Sequence, residues 1–240
     1  MNDVDLTKKK RKAPATAPRT KDNLYLSKDV KPLTEAQRQM MFALDQDMSV
    51  VAHGSAGTGK SFIACYKALQ RLVNKDIEKI VIIRSAVQVR SVGFLPGNVD
   101  EKNEVFSIPY RQIINDLFDN GSAWDILTKK GIVQFINTSF VRGITLDNCV
   151  VIVDESQSMN WHELHSIVTR AGENCQMIFC GDTKQDDLIV SKYDKSGLDT
   201  FMKVINNMPD YFDVIQFYPQ DIVRSGLVKK FIMVCEDLNV

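Results

Sequence analysis

The chain lacks several things that would place it in a specialised class. Its five cysteines, Cys65, Cys149, Cys175, Cys180 and Cys235, include no C-x-x-C pair. Most of them sit in apolar runs where a thiol behaves as a small hydrophobe, which argues against a disulfide framework or zinc ribbon and for a reducing, cytoplasmic setting. No apolar run approaches the roughly 20 residues of a membrane span, and no apolar h-region follows the N-terminus, so neither insertion nor secretion is expected. Only three histidines occur. His162 and His165 are three apart on a predicted helix, but no third ligand at matching spacing accompanies them. Net charge is absent too, with 30 Lys and Arg against 30 Asp and Glu. There is no internal repeat.

What remains is 240 residues with 44% hydrophobic content, the composition of an ordinary globular protein with a sizeable core. The charge is unevenly spread. Lys8, Lys9, Lys10, Arg11, Lys12, Arg19, Lys21 and Lys28 crowd the first thirty residues, against Asp3, Asp5, Asp22 and Asp29. This Pro-, Ala- and Thr-rich head has too little apolar surface to order itself, so residues 1–30 read as a tail and 31–240 as the folded domain. The tail is either a solubilising extension or a salt-sensitive hold on nucleic-acid phosphates.

The densest signal is Gly54-Ser55-Ala56-Gly57-Thr58-Gly59-Lys60-Ser61, of the form G-x-x-x-x-G-K-[ST]. Glycines in such a loop let successive backbone N–H groups converge on phosphate oxygens. Lys60 then reaches the outer phosphates, the Ser61 hydroxyl ligates Mg²⁺, and a helix starting near Gly59 and continuing through Phe62 adds its positive dipole end. The context fits: the apolar run Ser49–Ala52 precedes the loop and helical spacing follows it. Upstream, Thr34 can cap a helix carrying Met40, Met41, Phe42 and Leu44. Gln37 in that helix either pairs with the edge of adenine or faces solvent.

Further strands are predicted at Lys79–Arg84, Gly131–Ile136, Cys149–Val153, Gln176–Cys180 and Phe212–Tyr218. Several are apolar throughout, as strands covered on both faces of a parallel sheet should be. Ser85–Lys102 is rich in turn residues and reads as a long surface excursion, followed by an amphipathic helix over Ser107–Asn120. Leu198–Met208 reads as helical, and a closing helix is expected to begin around Ile222. The Cys149 strand ends in Asp154-Glu155. There Asp154 can hold the Mg²⁺ hydration shell opposite Ser61, and Glu155 can orient and deprotonate an attacking water. Gln185, in the polar turn after Gly181, is placed to report a γ-phosphate.

Together with Val92–Gly97, Arg142–Leu146, Asp154–Gln157, Gly181–Gln185 and Asp221–Arg224, these segments resemble the PhoH-like family from about Leu33 to the C-terminus. That family comprises phosphate-starvation-inducible P-loop ATPases related to the N-terminal RecA-like half of superfamily 1 helicases. The resemblance implies an α/β fold: a single RecA-like P-loop NTPase domain, mostly parallel sheet with helices on both faces. It places the strand ending at Gly181 between the P-loop strand and the Asp154 strand. It further implies ATP hydrolysis with Mg²⁺, Gln37 sensing adenine, Gln185 sensing the γ-phosphate, and a nucleic-acid partner, single-stranded RNA before DNA. The chain leaves no residues for the second RecA-like domain of the helicases, which supplies an arginine to the transition state, nor for the ribonuclease-like domain of some relatives. Intrinsic nuclease activity is therefore not expected. A homo-oligomeric ring, a hexamer for example, is expected instead, with Arg224, or failing it Arg142, reaching the neighbouring site. Two other functions compete. One is a nucleotide-gated protein-binding module with slow ATPase and no nucleic-acid activity. The other is a small-molecule kinase, disfavoured because Glu155 suits water activation and no Arg-rich lid is evident.

Overall fold

Six apolar segments pair side by side into one parallel sheet. The computed structural model of the chain describes residues 20, 24–85, 99–182 and 197–238. Among these the strands are β1 (Ser49–Gly54), β2 (Lys79–Arg84), β3 (Val133–Asn137), β4 (Cys149–Val153), β5 (Cys175–Gly181) and β6 (Phe212–Phe217). Their order across the sheet is β3-β2-β4-β5-β1-β6, and every pairing is parallel. β5 thus lies between β1 and β4, where the family resemblance puts it.

Alternation along each strand sends side chains to opposite faces. Val50 and Ala52 of β1, Ile80 and Ile82 of β2, Val150 and Ile152 of β4, and Ile178 and Cys180 of β5 join one core. That core is covered by α1 (Glu35–Asp45), α2 (Lys60–Asn74), α3 (Val99–Phe118) and α4 (Ala123–Lys129). The residues between them, Val51, Val81, Ile83, Val151, Val153, Met177 and Phe179, face the opposite core beneath α5 (Trp161–Val168) and α6 (Leu198–Ile205). Covering on both faces is why β4 is buried along its whole length. A last helix, α7 (Gly226–Leu238), ends the described chain.

Several boundaries differ from the sequence expectation. Residues 24–30 are not tail: Leu24 is buried, Leu26 and Val30 pack against the first core, and Ser27 N–H donates to Leu117 O at 2.9 Å. Three apolar side chains at short spacing outweigh the charges that surround them. α3 begins at Val99 rather than Ser107 and passes through Pro109. The short helix α4 has no counterpart in the sequence expectation, although Ala123, Trp124 and Leu127 bury one face of it. α7 starts at Gly226, not Ile222, because Asp221 accepts from Tyr218 N–H at 2.9 Å and closes a 3-10 turn first. The Gly93–Gly97 stretch, the basic run at residues 8–12 and Gln185 lie outside the described residues. No described helix is long and apolar enough to cross a membrane.

Candidate nucleotide site

Because all six strands run the same way, their carboxyl ends share one edge, the place where open α/β sheets bind ligands. Here β1 runs into the glycine loop, β4 into Asp154 and β5 into Asp182. The loop is shaped by Gly54, Gly57 and Gly59, all at positive φ (114°, 71° and 85°). Gly59 caps α2 from the left-handed region, leaving the first N–H groups of a 15-residue helix at the loop. Those orphan donors and the helix dipole favour an anion.

Lys60 is buried, and its Nζ donates to Gly54 O and Ser55 O, both at 2.8 Å. Burial lowers its pKa, opposed by nearby acidic groups that include Asp182, Asp154 and Glu155. Ser61 Oγ donates to Asp154 Oδ1 at 2.9 Å. A hydroxyl beside a carboxylate is the hard-oxygen donor set that suits Mg²⁺, which takes one or two protein ligands and completes its shell with water and phosphate. Among the described residues no cluster of three or more His, Cys, Asp or Glu could hold a metal alone. The other Asp154 oxygen, Oδ2, accepts from Tyr110 Oη at 2.5 Å. Tyr110 is 1% exposed, and burial together with Asp154 holds its phenol well above the ordinary range. The phenol therefore stays a donor and fixes the carboxylate from behind.

Glu155 follows at φ 53°, ψ 44°, a left-handed conformation uncommon for a non-glycine residue. Strain of this kind at the second residue past β4 turns the side chain away from the strand's own alternation. Its Oε2 accepts from Gln157 Nε2 at 2.6 Å, while Oε1 lies 3.5 Å from Arg84 Nη2. Burial and then Asp154 raise the Glu155 pKa, with Gln157, Arg84 and Lys60 opposing. Gln157 Oε1 also accepts from Asp182 N–H at 2.9 Å, tying the acidic turn to the end of β5.

These groups line a cavity of about 390 Å³ that includes Gly57–Ser61, Arg84, Tyr110, Asp154, Glu155, Asp182 and Arg224. A second cavity of about 460 Å³ adjoins it, sharing Gly57, Gly59, Phe62 and Arg224 and adding Val30, Leu33, Gln37, Gln112 and Val223. Gln37 does not face solvent: it is buried, with Nε2 donating to Thr58 O and Oε1 accepting from Leu33 N–H, each at 2.8 Å. Arg224 lies over its own chain's loop, where a Cβ placed on Gly57 would sit 3.0 Å from its Cγ. Val223 N–H donates to Gly57 O at 3.1 Å and pins that segment. The sequence expectation sends Arg224 to a neighbouring chain's site; within the single chain its side chain borders its own glycine loop. Arg142 is elsewhere, lining a polar hollow with Ser139 and His162.

Of the residues singled out in the sequence, Ala56–Phe62, Asp154, Glu155, Gln37 and Arg224 line these two cavities, and Gly54 and Ser55 supply the carbonyls that hold Lys60. Sequence reasoning missed Arg84, Tyr110 and Gln157 as site residues. The charged end of an otherwise apolar β2 was the one visible signal for Arg84.

The PhoH-like protein family matches residues 29–236. A PhoH-like protein of Bacillus subtilis (strain 168) is 33% identical over 213 residues, covering 88% of this chain and 66% of the relative. Protein PhoH of Escherichia coli (strain K12) is 31% identical over 209 residues, covering 85% and 58%. The chain thus spans less than two thirds of the length of either relative. Among solved structures, Pif1 helicase from Candida albicans aligns over 87% of this chain and 44% of that one, at 17% identity and a TM-score of 0.47. The large terminase of a thermophilic bacteriophage, in complex with ADP, aligns over 83% and 49%, at 12% identity and a TM-score of 0.45. With a phosphate loop, paired acids and a parallel sheet in the expected order, and with the family matched over most of its length, the chain belongs to the PhoH-like family.

Proposed function

We propose that the chain binds ATP with Mg²⁺ and hydrolyses it, coupling turnover to single-stranded nucleic acid, RNA in the first instance. The observation that carries the reading is the convergence of Lys60, Ser61, Asp154 and Glu155 on one cavity at the carboxyl edge of the sheet. The glycine loop and Lys60 hold the outer phosphates, and Lys60 exchanges its bonds to loop carbonyls for bonds to phosphate oxygens. Ser61 and Asp154 hold Mg²⁺, with Tyr110 keeping Asp154 in place. Bound there, the ion offsets the charge on the β- and γ-phosphate oxygens. Glu155, fixed by Gln157, orients a water toward the γ-phosphorus and accepts its proton. The neighbouring cavity, apolar apart from a few amide and charged groups, takes the base. Beyond its two bonds to backbone, the Gln37 amide retains one N–H and one lone pair for adenine.

The nucleic-acid part rests on the basic run Lys8–Lys12 and on the hollow of about 280 Å³ formed by Thr138, Ser139, Arg142, His162, Glu163 and Ser166. That hollow opens where β3 ends and α5 begins, and Arg142 with the hydroxyls suits a phosphodiester backbone. A homo-oligomeric ring belongs to the same proposal. A native mass that stays monomeric with ATP and RNA present removes the ring.

A second reading, a nucleotide-gated protein-binding module, is favoured by one feature. Leu227, Phe231, Val234 and Leu238 form a stripe of 4-3-4 spacing on α7, and all four are exposed, a pattern typical of helices that dock on a partner. ATP turnover measured with and without single-stranded RNA separates the two. The ATPase reading expects stimulation of about tenfold or more, the size of a 1.4 kcal/mol coupling. Turnover that is slow and indifferent to RNA favours the module.

A further inference from the structure

Arg84 ends β2 beside the acidic turn, and the backbone puts it there. Ile83 is in register with Val153, and Asp154 N–H donates to Ile83 O at 3.0 Å. The Arg84 side chain is 15% exposed, its guanidinium lies 5.6 Å from the centre of the Phe106 ring, and it lines the phosphate cavity. An aromatic ring behind a guanidinium steadies its plane without consuming the N–H fork.

We infer that Arg84 is the γ-phosphate ligand of this cleft, supplied in cis. The inference rests on the proposal that the cleft takes ATP. The Glu155 carboxylate and the γ-phosphate are alternative anions for one guanidinium. Glu155 is 38% exposed and has a second hold through Gln157 Nε2 at 2.6 Å, so it keeps its place when the arginine turns away. A terminal phosphate brings more charge than a carboxylate and accepts the arginine fork bidentately. Because Glu155 orients the water that attacks the γ-phosphorus, a cation 3.5 Å from Glu155 stands at the γ end of the cavity. Arg224 lies over Gly57 and borders both cavities, whereas Arg84 lines the phosphate cavity alone and is the arginine paired with Glu155. The arginine that helicases draw from a second domain thus has a counterpart within this domain.

Calorimetric titration of wild type, Arg84→Ala and Arg84→Lys with ADP and with a non-hydrolysable ATP analogue tests the inference, all with Mg²⁺. The expected result for Arg84→Ala is a loss of about 10- to 100-fold in analogue affinity, the worth of a charge-assisted contact, with ADP affinity within about twofold of wild type. Retained ADP binding also reports that the variant is folded. If Arg84→Ala loses both ligands, Arg84→Lys decides: a charge without the fork should still cut the analogue-to-ADP preference about threefold to tenfold. An unchanged preference in the lysine variant overturns the assignment. So does a fall in ATP turnover with unchanged preference, since that outcome makes Arg84 a positioning residue for Glu155 alone. A wild-type chain that binds neither nucleotide overturns the ATP reading itself, and this assignment with it.

Discussion

Glu155→Gln is expected to lower ATP turnover by about 10²- to 10⁴-fold, the usual contribution of a general base, while ATP affinity changes little. The substitution keeps size and planarity, so the bond from Gln157 has an acceptor still, and the loop, Lys60 and the Ser61–Asp154 pair are untouched. What disappears is the group that takes the water's proton. Rapid-quench and equilibrium binding measurements on the same preparation should therefore show ATP bound and uncleaved. Wild-type turnover in Glu155→Gln would mean that another group activates water, and the role assigned to Glu155 would be wrong.

Gly54→Ala is expected to damage the fold and the site together. Gly54 has φ 114°, and a Cβ there would lie 2.0 Å from Phe217 O, a backbone atom that no rotamer change can move. The same carbonyl accepts from Ser55 N–H at 3.0 Å, and β6 pairs with β1 along its length. Relief requires β6 to shift, and β6 leads directly into the Asp221–Arg224 segment that borders both cavities. Strained backbone and overpacking together put the cost at about 3–5 kcal/mol, which lowers Tm by roughly 10 °C in a domain of this size. Thermal denaturation checks it. A Tm within about 2 °C of wild type would show that the β1–β6 contact is looser than described.

The parts of this protein that could be read from sequence are those in which local pattern and tertiary role coincide. β2 and β4 were legible because burial on both faces demands an uninterrupted apolar run. The phosphate loop was legible because its backbone geometry demands glycine at fixed spacing, and Thr34 because a cap needs an oxygen within one turn of the helix start. The roles of Arg84, Tyr110 and Gln157 were not legible: Arg84 shows in sequence only as the charged end of an apolar run and Gln157 only as part of the Asp154–Gln157 segment, and neither pattern says what the side chain meets. Tyr110 meets Asp154 across 44 positions of chain, and Arg84 reaches Glu155 only when β2 and β4 become neighbours. Gln37 stood undecided in sequence because its helix has a polar and an apolar face. Its bonds to Thr58 and Leu33 arise from the docking of α1 against the loop. The later start of α7 has a local and a tertiary cause: the Pro219–Asp221 turn closes on Asp221 first, and then Ile222 is buried and Val223 N–H is bonded to Gly57 O. The placement of Arg224 beside its own chain's loop was not legible either, because the expectation of a trans arginine followed from counting domains and not from any residue's surroundings.

The central claim is that one chain's Lys60, Ser61, Asp154 and Glu155 form a working ATP site. Phosphate release from Mg²⁺-ATP by the purified chain, with Lys60→Ala alongside, tests it most directly. Measurable turnover that depends on Mg²⁺ and falls to background in Lys60→Ala is the expected result. Equal phosphate release from the two proteins, or none from wild type with or without single-stranded RNA, would contradict it.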